Sequence, residues 1–148
     1  MSATVNSLCR RLMTVVAILA VAGIVVSSVS LQHHYAKSKT AYCDIGETFN
    51  CDIVNRSEYS SIGPIPVALI GILGYATLAG LATIYRSRPD TPKVLFLTAA
   101  AGLAFALYLT YIEGHVLGVW CILCLSSLAI IASITVASGI VWRKSRNV

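Results

Sequence analysis

Residues 12–31 read LMTVVAILAVAGIVVSSVSL and contain no Asp, Glu, Lys or Arg. A helix needs about 20 consecutive apolar residues to cross a bilayer, so this stretch predicts a transmembrane helix. Further uncharged stretches follow at residues 62–85, 94–112 and 116–142. Because lipid offers no partner for backbone polar groups, such segments span the membrane as helices. We therefore expect an all-α integral membrane protein, folded as a four-transmembrane-helix bundle.

The composition supports this class. The chain has 148 residues, of which 57% are hydrophobic and 11% charged, whereas roughly 25% of a soluble domain is charged. We predict a single membrane domain over residues 1–148. One alternative concerns the first segment, where Arg10 and Arg11 precede an Ala20-Val21-Ala22 sequence that resembles a signal peptidase site. The apolar run continues to Val29, which favours an uncleaved helix.

The basic residues predict the orientation, because Lys and Arg are enriched in cytoplasmic loops. One predicted face carries Arg10, Arg11, Arg86, Arg88, Lys93, Arg143, Lys144 and Arg146; the other carries Lys37, Lys39 and Arg56. The first face is thus expected to be cytoplasmic, with the loop 32–61 and the turn 113–118 outside. The net charge of +5 is a topology signal at the lipid surface and does not indicate a nucleic-acid partner.

Four of the five cysteines converge on the predicted outer face. Cys43 and Cys51 lie in the outer loop, and Cys121 and Cys124 lie near the outer start of the fourth segment. Loops as long as 32–61 are usually functional or disordered, and the two cysteines favour a function. Cys9 is predicted inside, as a reduced bystander thiol.

The Cys121-Ile122-Leu123-Cys124 motif is typical of a redox-active pair, because a helix N-terminus stabilises a thiolate. A second pair on a movable loop could approach it for thiol-disulfide exchange. The pattern therefore favours a redox relay. Two alternatives stay open: static disulfides that staple the loop to the bundle, and a zinc site. Zinc is disfavoured because all-cysteine zinc sites usually pair two short Cys-x-x-Cys motifs, and we expect no metal.

Several stretches resemble the vitamin K epoxide reductases and their bacterial homologues. They are CDIGETFNC at 43–51, GPIPVALIG at 63–71, YLTYIE at 108–113 and WCILC at 120–124. The resemblance implies a four-helix bundle around a quinone of the ubiquinone, menaquinone or vitamin K type. Family members include proteins fused to a thioredoxin domain, and no such domain is expected here. The redox partner should then be a separate thioredoxin-fold periplasmic oxidase.

The resemblance also implies a role for each cysteine. Cys124 would face the quinone, Cys121 would be the sulfur attacked by the loop, and Cys51 would attack it. Cys43 would exchange with the partner protein. Electrons would thus run from the partner through the loop pair and the helix pair to the quinone.

Six residues are candidates for the quinone pocket. Ser57 matches a serine of bacterial members, and Leu128 stands where animal enzymes have a tyrosine. The other candidates are side chains with a donor group: Tyr75, Tyr108, Tyr111 and Trp120. Tyr and Trp also gather at membrane interfaces without any binding role. No counterpart of the asparagine in the animal pocket is evident, and His33, His34 and His115 are expected to be exposed at the interface.

These departures favour a disulfide-forming enzyme of the bacterial inner membrane, with its active site facing the periplasm. Three alternatives remain. The protein could be a vitamin K quinone or epoxide reductase driven by protein thiols, and it could reside in the endoplasmic reticulum membrane facing the lumen. It could also be a non-enzymatic tetraspan protein stapled by disulfides.

Overall fold

The computed structural model describes residues 2–36 and 43–147. Four long helices dominate it: α1 (Ser2–Tyr35), α3 (Val67–Thr83), α4 (Thr91–Ile112) and α5 (Ile122–Arg146). The spans Asn6–Tyr35, Thr91–Leu117 and Ile122–Arg146 are long and apolar enough to cross a membrane. The helix α3 has 17 residues and is about 25 Å long, slightly short of the hydrocarbon core. The predicted helical membrane bundle is confirmed, and the chain is an integral membrane protein.

Two helices begin later than the uncharged stretches suggested. The second stretch starts at residue 62, but Pro64 and Pro66 keep the chain extended. Residues Ser61–Ile62 (β3) and Ile65–Pro66 (β4) pair as a hairpin, with Gly63 at φ 62°. The fourth stretch starts at residue 116, but a π-helical turn, Glu113–Leu117, extends α4 there. Gly118, at φ 66°, ends that turn, and α5 begins at Ile122.

The helix α1 is the centre of the bundle. It packs against α3 on one side and α5 on the other, and α4 packs against α5. The core between them contains Val16, Ala20, Leu78, Leu95, Ala99 and Ile134. By contrast α3 and α4 contact each other little, which leaves space between them near the outer end.

A small structure in the outer loop precedes α3. Strands Asp44–Ile45 (β1) and Phe49–Asn50 (β2) form a hairpin, and the short helix Cys51–Asn55 (α2) follows directly. The backbone of Trp120 pairs with this hairpin. Asn50 N donates to Trp120 O at 3.0 Å, and Trp120 N donates to Thr48 O at 2.8 Å. The loop is therefore attached to the segment that immediately precedes α5.

The basic residues gather at the opposite end of the bundle from this loop. Asn6, Arg10, Arg86 and Ser145 border one depression at that end, where α1 begins and α5 ends. Basic residues that were assigned to one face of the membrane thus lie at one end of the bundle. Lys37 and Lys39, which were assigned to the outer face, lie outside the described residues.

A glycine permits the closest contact between α1 and α3. A Cβ atom on Gly23 would clash with Cδ1 of the Tyr75 ring, whereas one on Gly80 would meet nothing within 4 Å. We expect Gly23→Ala to lower the free energy of unfolding by about 1–3 kcal/mol, because the rigid ring cannot move aside without disturbing α3.

Thermal unfolding of the detergent-solubilised protein checks this expectation, with Gly80→Ala as the matched control. Gly80→Ala should unfold at the wild-type temperature or above it, since alanine favours the helix. Equal melting temperatures for the two variants would contradict the packing described here.

Candidate active site

Cys121 lies at the N-terminal end of α5. It is fully buried and serves as the N-cap, with its Sγ accepting the backbone N–H of Cys124 at 3.4 Å. The cap conformation follows from the chain before it, because Gly118 ends the π turn and Trp120 is held by the loop hairpin. The Cys-x-x-Cys motif therefore occupies the helix end predicted from the sequence, where the helix dipole favours a thiolate.

The loop cysteines form a disulfide. Cys43 and Cys51 are bonded with their Cα atoms 5.6 Å apart, a usual separation. Cys51 is the first residue of α2, which Asn50 caps by accepting the N–H of Ile53 at 3.0 Å. Both cysteines are buried. The disulfide closes a ring within one loop and does not join the loop to the bundle.

The two pairs meet through Cys51 and Cys121. Their sulfur atoms are 3.4 Å apart, in a buried cluster with Cys43 and Val54. Cys121 and Cys124 are thiols. A thiol beside a disulfide is the arrangement that thiol-disulfide exchange requires. Cys43 and Cys51, being bonded to each other, are not thiolate ligands for zinc, and within the described residues no group of three or more His, Cys, Asp or Glu is placed to hold a metal ion.

Asn55 contacts both pairs. Its Nδ2 donates to Cys51 O at 3.0 Å and to Cys121 Sγ at 3.8 Å, and the residue is buried. No motif in the sequence singles out this asparagine. Its spacing of four residues from Cys51 became meaningful only when residues 51–55 proved to be helical, since such a helix places residues i and i+4 on one side.

Glu113 lies in the turn 113–118 that was predicted to be outside, and its side chain is buried there. The side chain is only 2% exposed, and its Oε2 accepts the backbone N–H of Cys121 at 3.1 Å. The extra π turn after α4 carries Glu113 beneath the Cys-x-x-Cys motif. No periodicity in the sequence announces a π turn, and the signal that could have been used was an acidic residue directly after an apolar segment.

Two of the three histidines also differ from expectation. His33 is 1% exposed, and its Nδ1 lies 3.1 Å from Asp52 Oδ1. His34 is half-buried, with Nδ1 2.6 Å from Asn55 O. Both belong to the last turn of α1, which extends beyond the predicted membrane segment to meet α2. His115 is exposed and stacks on Tyr111.

A cavity of about 380 Å³ lies between the four long helices below the cysteines. This volume falls in the usual range for small-molecule sites. Its walls are mainly apolar, and Cys124 lies on its wall. The polar side chains that line it include those of Ser27, His34, Asn55, Ser57, Tyr75, Glu113 and Ser127. The Tyr75 hydroxyl donates to Ser127 at 2.9 Å. The cavity can thus hold a flat apolar molecule against the Cys124 sulfur.

The six candidate pocket residues divide into two groups. Ser57 and Tyr75 line the cavity, while Tyr108, Tyr111, Trp120 and Leu128 are not among its lining residues. Tyr108 and Tyr111 are 57% and 60% exposed on the outer surface of α4. The Trp120 ring packs against Gly114, where a Cβ would lie 2.8 Å from it. These four residues therefore do not line this cavity. A role in quinone binding stays a prediction for all six candidates.

One comparison with known proteins bears on these observations. The sequence model of the vitamin K epoxide reductase family matches residues 14–138, which include all four cysteines of the site. The match thus covers most of the chain.

The hydrogen bonds around Cys121 predict its acid-base behaviour. The Cys124 thiol, followed by backbone N–H groups of α5, lowers the pKa of Cys121, although burial and the Glu113 carboxyl oppose this. Replacing Cys124 by alanine removes the first donor, so the pKa of Cys121 should rise. Alkylation of Cys121 by a small reagent should then reach half its maximal rate at higher pH than in the wild type.

Cys124→Ser is the matched control for this measurement, because its hydroxyl can still donate. Mass spectrometry of the Cys121 peptide across a pH series gives the profile for each variant. A profile for Cys124→Ala that lies at the same or lower pH than those of the wild type and Cys124→Ser would contradict the assigned cause.

Proposed function

The chain belongs to the vitamin K epoxide reductase family, a family of oxidoreductases, and we propose that it passes electrons from a thioredoxin-fold protein to a membrane quinone. The observation that carries this proposal is the 3.4 Å contact between Cys51 Sγ and Cys121 Sγ. It joins a loop disulfide to a dithiol whose second member, Cys124, lies on an apolar cavity. The loop disulfide, where the partner would donate electrons, and the cavity, where a quinone would accept them, are thus connected through sulfur atoms.

The relay consists of successive exchange reactions. The partner's dithiol reduces the Cys43–Cys51 disulfide by attacking Cys43, which leaves the partner oxidised and the loop pair as thiols. The Cys51 thiolate then attacks Cys121 in an oxidised Cys121–Cys124 pair and releases the Cys124 thiolate. Attack by Cys43 on Cys51 completes the transfer and restores the loop disulfide. The described arrangement, with a loop disulfide and two thiols on α5, corresponds to electrons already transferred to the helix pair.

The cavity has the properties that a quinone head group needs. Its walls are mainly apolar, and hydroxyl groups of Ser57 and Tyr75 line it. When bound, a quinone would supply an acceptor for two electrons and two protons. The residues around it would orient the ring against Cys124 and exclude water. Ubiquinone, menaquinone and vitamin K type quinones share this head-group chemistry, and the experiment below distinguishes them.

Two features support oxidation of a protein partner in a disulfide-forming compartment. Leu128 departs from the tyrosine of the animal enzymes, and it does not line the cavity. The basic end of the bundle lies opposite the cysteines, which supports an orientation with the active site outside the cytoplasm. We therefore place the protein in a bacterial inner membrane facing the periplasm, where coupling to quinone keeps the compartment oxidising. A lumenal orientation in the endoplasmic reticulum has the same topology.

The same geometry argues against a purely structural role for the cysteines. A stapling disulfide would join the loop to a helix, whereas the disulfide here closes within residues 43–51. Two further cysteines remain as thiols beside it.

The test is quinone reduction by the purified protein in detergent, with a reduced thioredoxin-fold oxidase as electron donor. Quinone absorbance should fall in proportion to the partner thiols consumed, and Cys124→Ala should abolish the reaction. The relative rates with ubiquinone, menaquinone and a vitamin K epoxide would identify the acceptor. A wild-type protein that reduces none of them would refute the proposed function.

Two glycines of α3 provide matched variants that test the cavity in the same assay. A Cβ atom added at Gly74 or Gly80 meets nothing within 4 Å, but only Gly74 lines the cavity. Gly74→Leu should fill part of the quinone site and raise the KM for quinone by roughly tenfold, equivalent to about 1.4 kcal/mol. Gly80→Leu should leave the KM near the wild-type value. Equal effects of the two variants would place the quinone elsewhere.

A further inference from the structure

Glu113 is the one acidic side chain among the described residues that lines the cavity. It lies at the start of the π turn, is 2% exposed, and holds the Cys121 backbone N–H through Oε2. Cys124, whose backbone N–H donates to Cys121 Sγ at 3.4 Å, lines the same cavity. A single carboxyl thus holds the backbone of Cys121, shares the cavity wall with Cys124 and faces the space proposed for the quinone.

The second carboxyl oxygen has no assigned structural role. Oε1 is buried, and within the described residues no N–H or O–H group donates to it. Glu113 also forms no ion pair with a Lys, Arg or His side chain of residues 6–36 or 43–147. An unsatisfied buried oxygen destabilises a fold. If Glu113 served only to accept the Cys121 N–H, an ionisable carboxyl would not be needed, because the amide of a glutamine could supply the same oxygen acceptor.

The proposed reaction has a proton requirement that this carboxyl can meet. Oxidation of a dithiol to a disulfide releases two electrons and two protons, and reduction of a quinone to a quinol takes up the same number. Both reactions occur in a cavity whose walls are mostly apolar. A side chain is therefore needed to carry protons between the sulfur atoms and the acceptor oxygen. His34 also lines the cavity, but its Nδ1 is directed to Asn55 O, and the Tyr75 hydroxyl is directed to Ser127.

We propose that Glu113 is a catalytic acid-base residue that takes the proton from the Cys124 thiol and delivers it to the acceptor oxygen. This inference rests on the proposed function. As the Cys124 S–H bond breaks, the electron pair stays on sulfur and the proton moves to Glu113. Formation of the Cys121–Cys124 bond then gives two electrons to the acceptor, and the Cys121 thiol releases the second proton that the quinol takes up. The carboxyl then returns the proton to the oxygen that becomes a hydroxyl, so that Glu113 ends each cycle in its initial state. Its Oε2 holds the Cys121 N–H throughout, which keeps the carboxyl at the N-terminal end of α5, where both cysteines lie.

Glu113→Gln separates this role from a structural one, because glutamine keeps an oxygen that can accept the Cys121 N–H. With a small dithiol as donor, we expect the kcat for quinone reduction to fall by roughly 10²-fold, as for loss of a general acid-base group. The KM for quinone and the melting temperature should stay near the wild-type values. Glu47→Gln is the matched control, since Glu47 is exposed in the turn between β1 and β2, and it should retain wild-type activity.

A second readout requires no quinone. Infrared difference spectra are recorded as the Cys121 and Cys124 thiols of the full chain are oxidised with a small disulfide. A protonated-carboxyl band should change in the wild type and in Glu47→Gln, and the change should be missing from Glu113→Gln. If Glu113→Gln does not fold, the test uses the spectra of the wild type and of Glu113→Asp. The change in the carboxyl band should be present in both, because aspartate keeps a carboxyl group.

The possible results separate the two proposals. Wild-type kcat in Glu113→Gln, or a wild-type spectrum without a carboxyl change, would overturn the role of Glu113. Failure of the wild type to reduce any quinone would refute the proposed function itself. In that case a carboxyl change on thiol oxidation would still support proton exchange between Cys124 and Glu113.

Discussion

The backbone pairing between Trp120 and the loop hairpin is the constraint on which the rest of the site depends. Hydrogen bonds from Asn50 N and Trp120 N satisfy polar groups that the loop would otherwise bury unpaired. They also set the position of Cys51, the next residue after Asn50, against Cys121, the next residue after Trp120. The 3.4 Å separation of the two sulfur atoms follows from this pairing. Contacts between α1 and α2, including His33 with Asp52, support the loop from below.

The cavity results from unequal packing among the four long helices. Close contact of α1 with α3, made possible at Gly23, and of α5 with α4, made possible at Gly139, leaves α3 and α4 apart. The Cys-x-x-Cys motif closes the outer end of the space between them, and Glu113 and Cys124 form part of its wall. The same arrangement therefore buries the reactive sulfurs and provides room for an apolar acceptor.

The sequence predicted the class of fold and the convergence of the four cysteines, because uncharged segments and Cys-x-x-Cys spacing are strong local signals. It failed where tertiary contacts or rare backbone forms decide the outcome. The π turn that buries Glu113 has no recognisable periodicity, and the prolines at 64 and 66 moved the start of α3 to Val67. Asn55 and His33 acquired partners only through the folding of residues 51–55 as a helix. Tyr108 and Tyr111 lie on the exposed surface of α4, and the sequence could not separate them from cavity residues because interfacial and pocket tyrosines have the same sequence signature.

Direct exchange between Cys51 and Cys121 is the central claim, and a double variant tests it most directly. In Cys43→Ser combined with Cys124→Ser, the two sulfurs that meet in the structure lose their other partners and Cys9 is the remaining thiol. After mild oxidation in membranes, peptide mapping by mass spectrometry should find one intramolecular Cys51–Cys121 disulfide and a free Cys9. Free thiols at both Cys51 and Cys121, or cross-links between separate chains instead, would contradict the account.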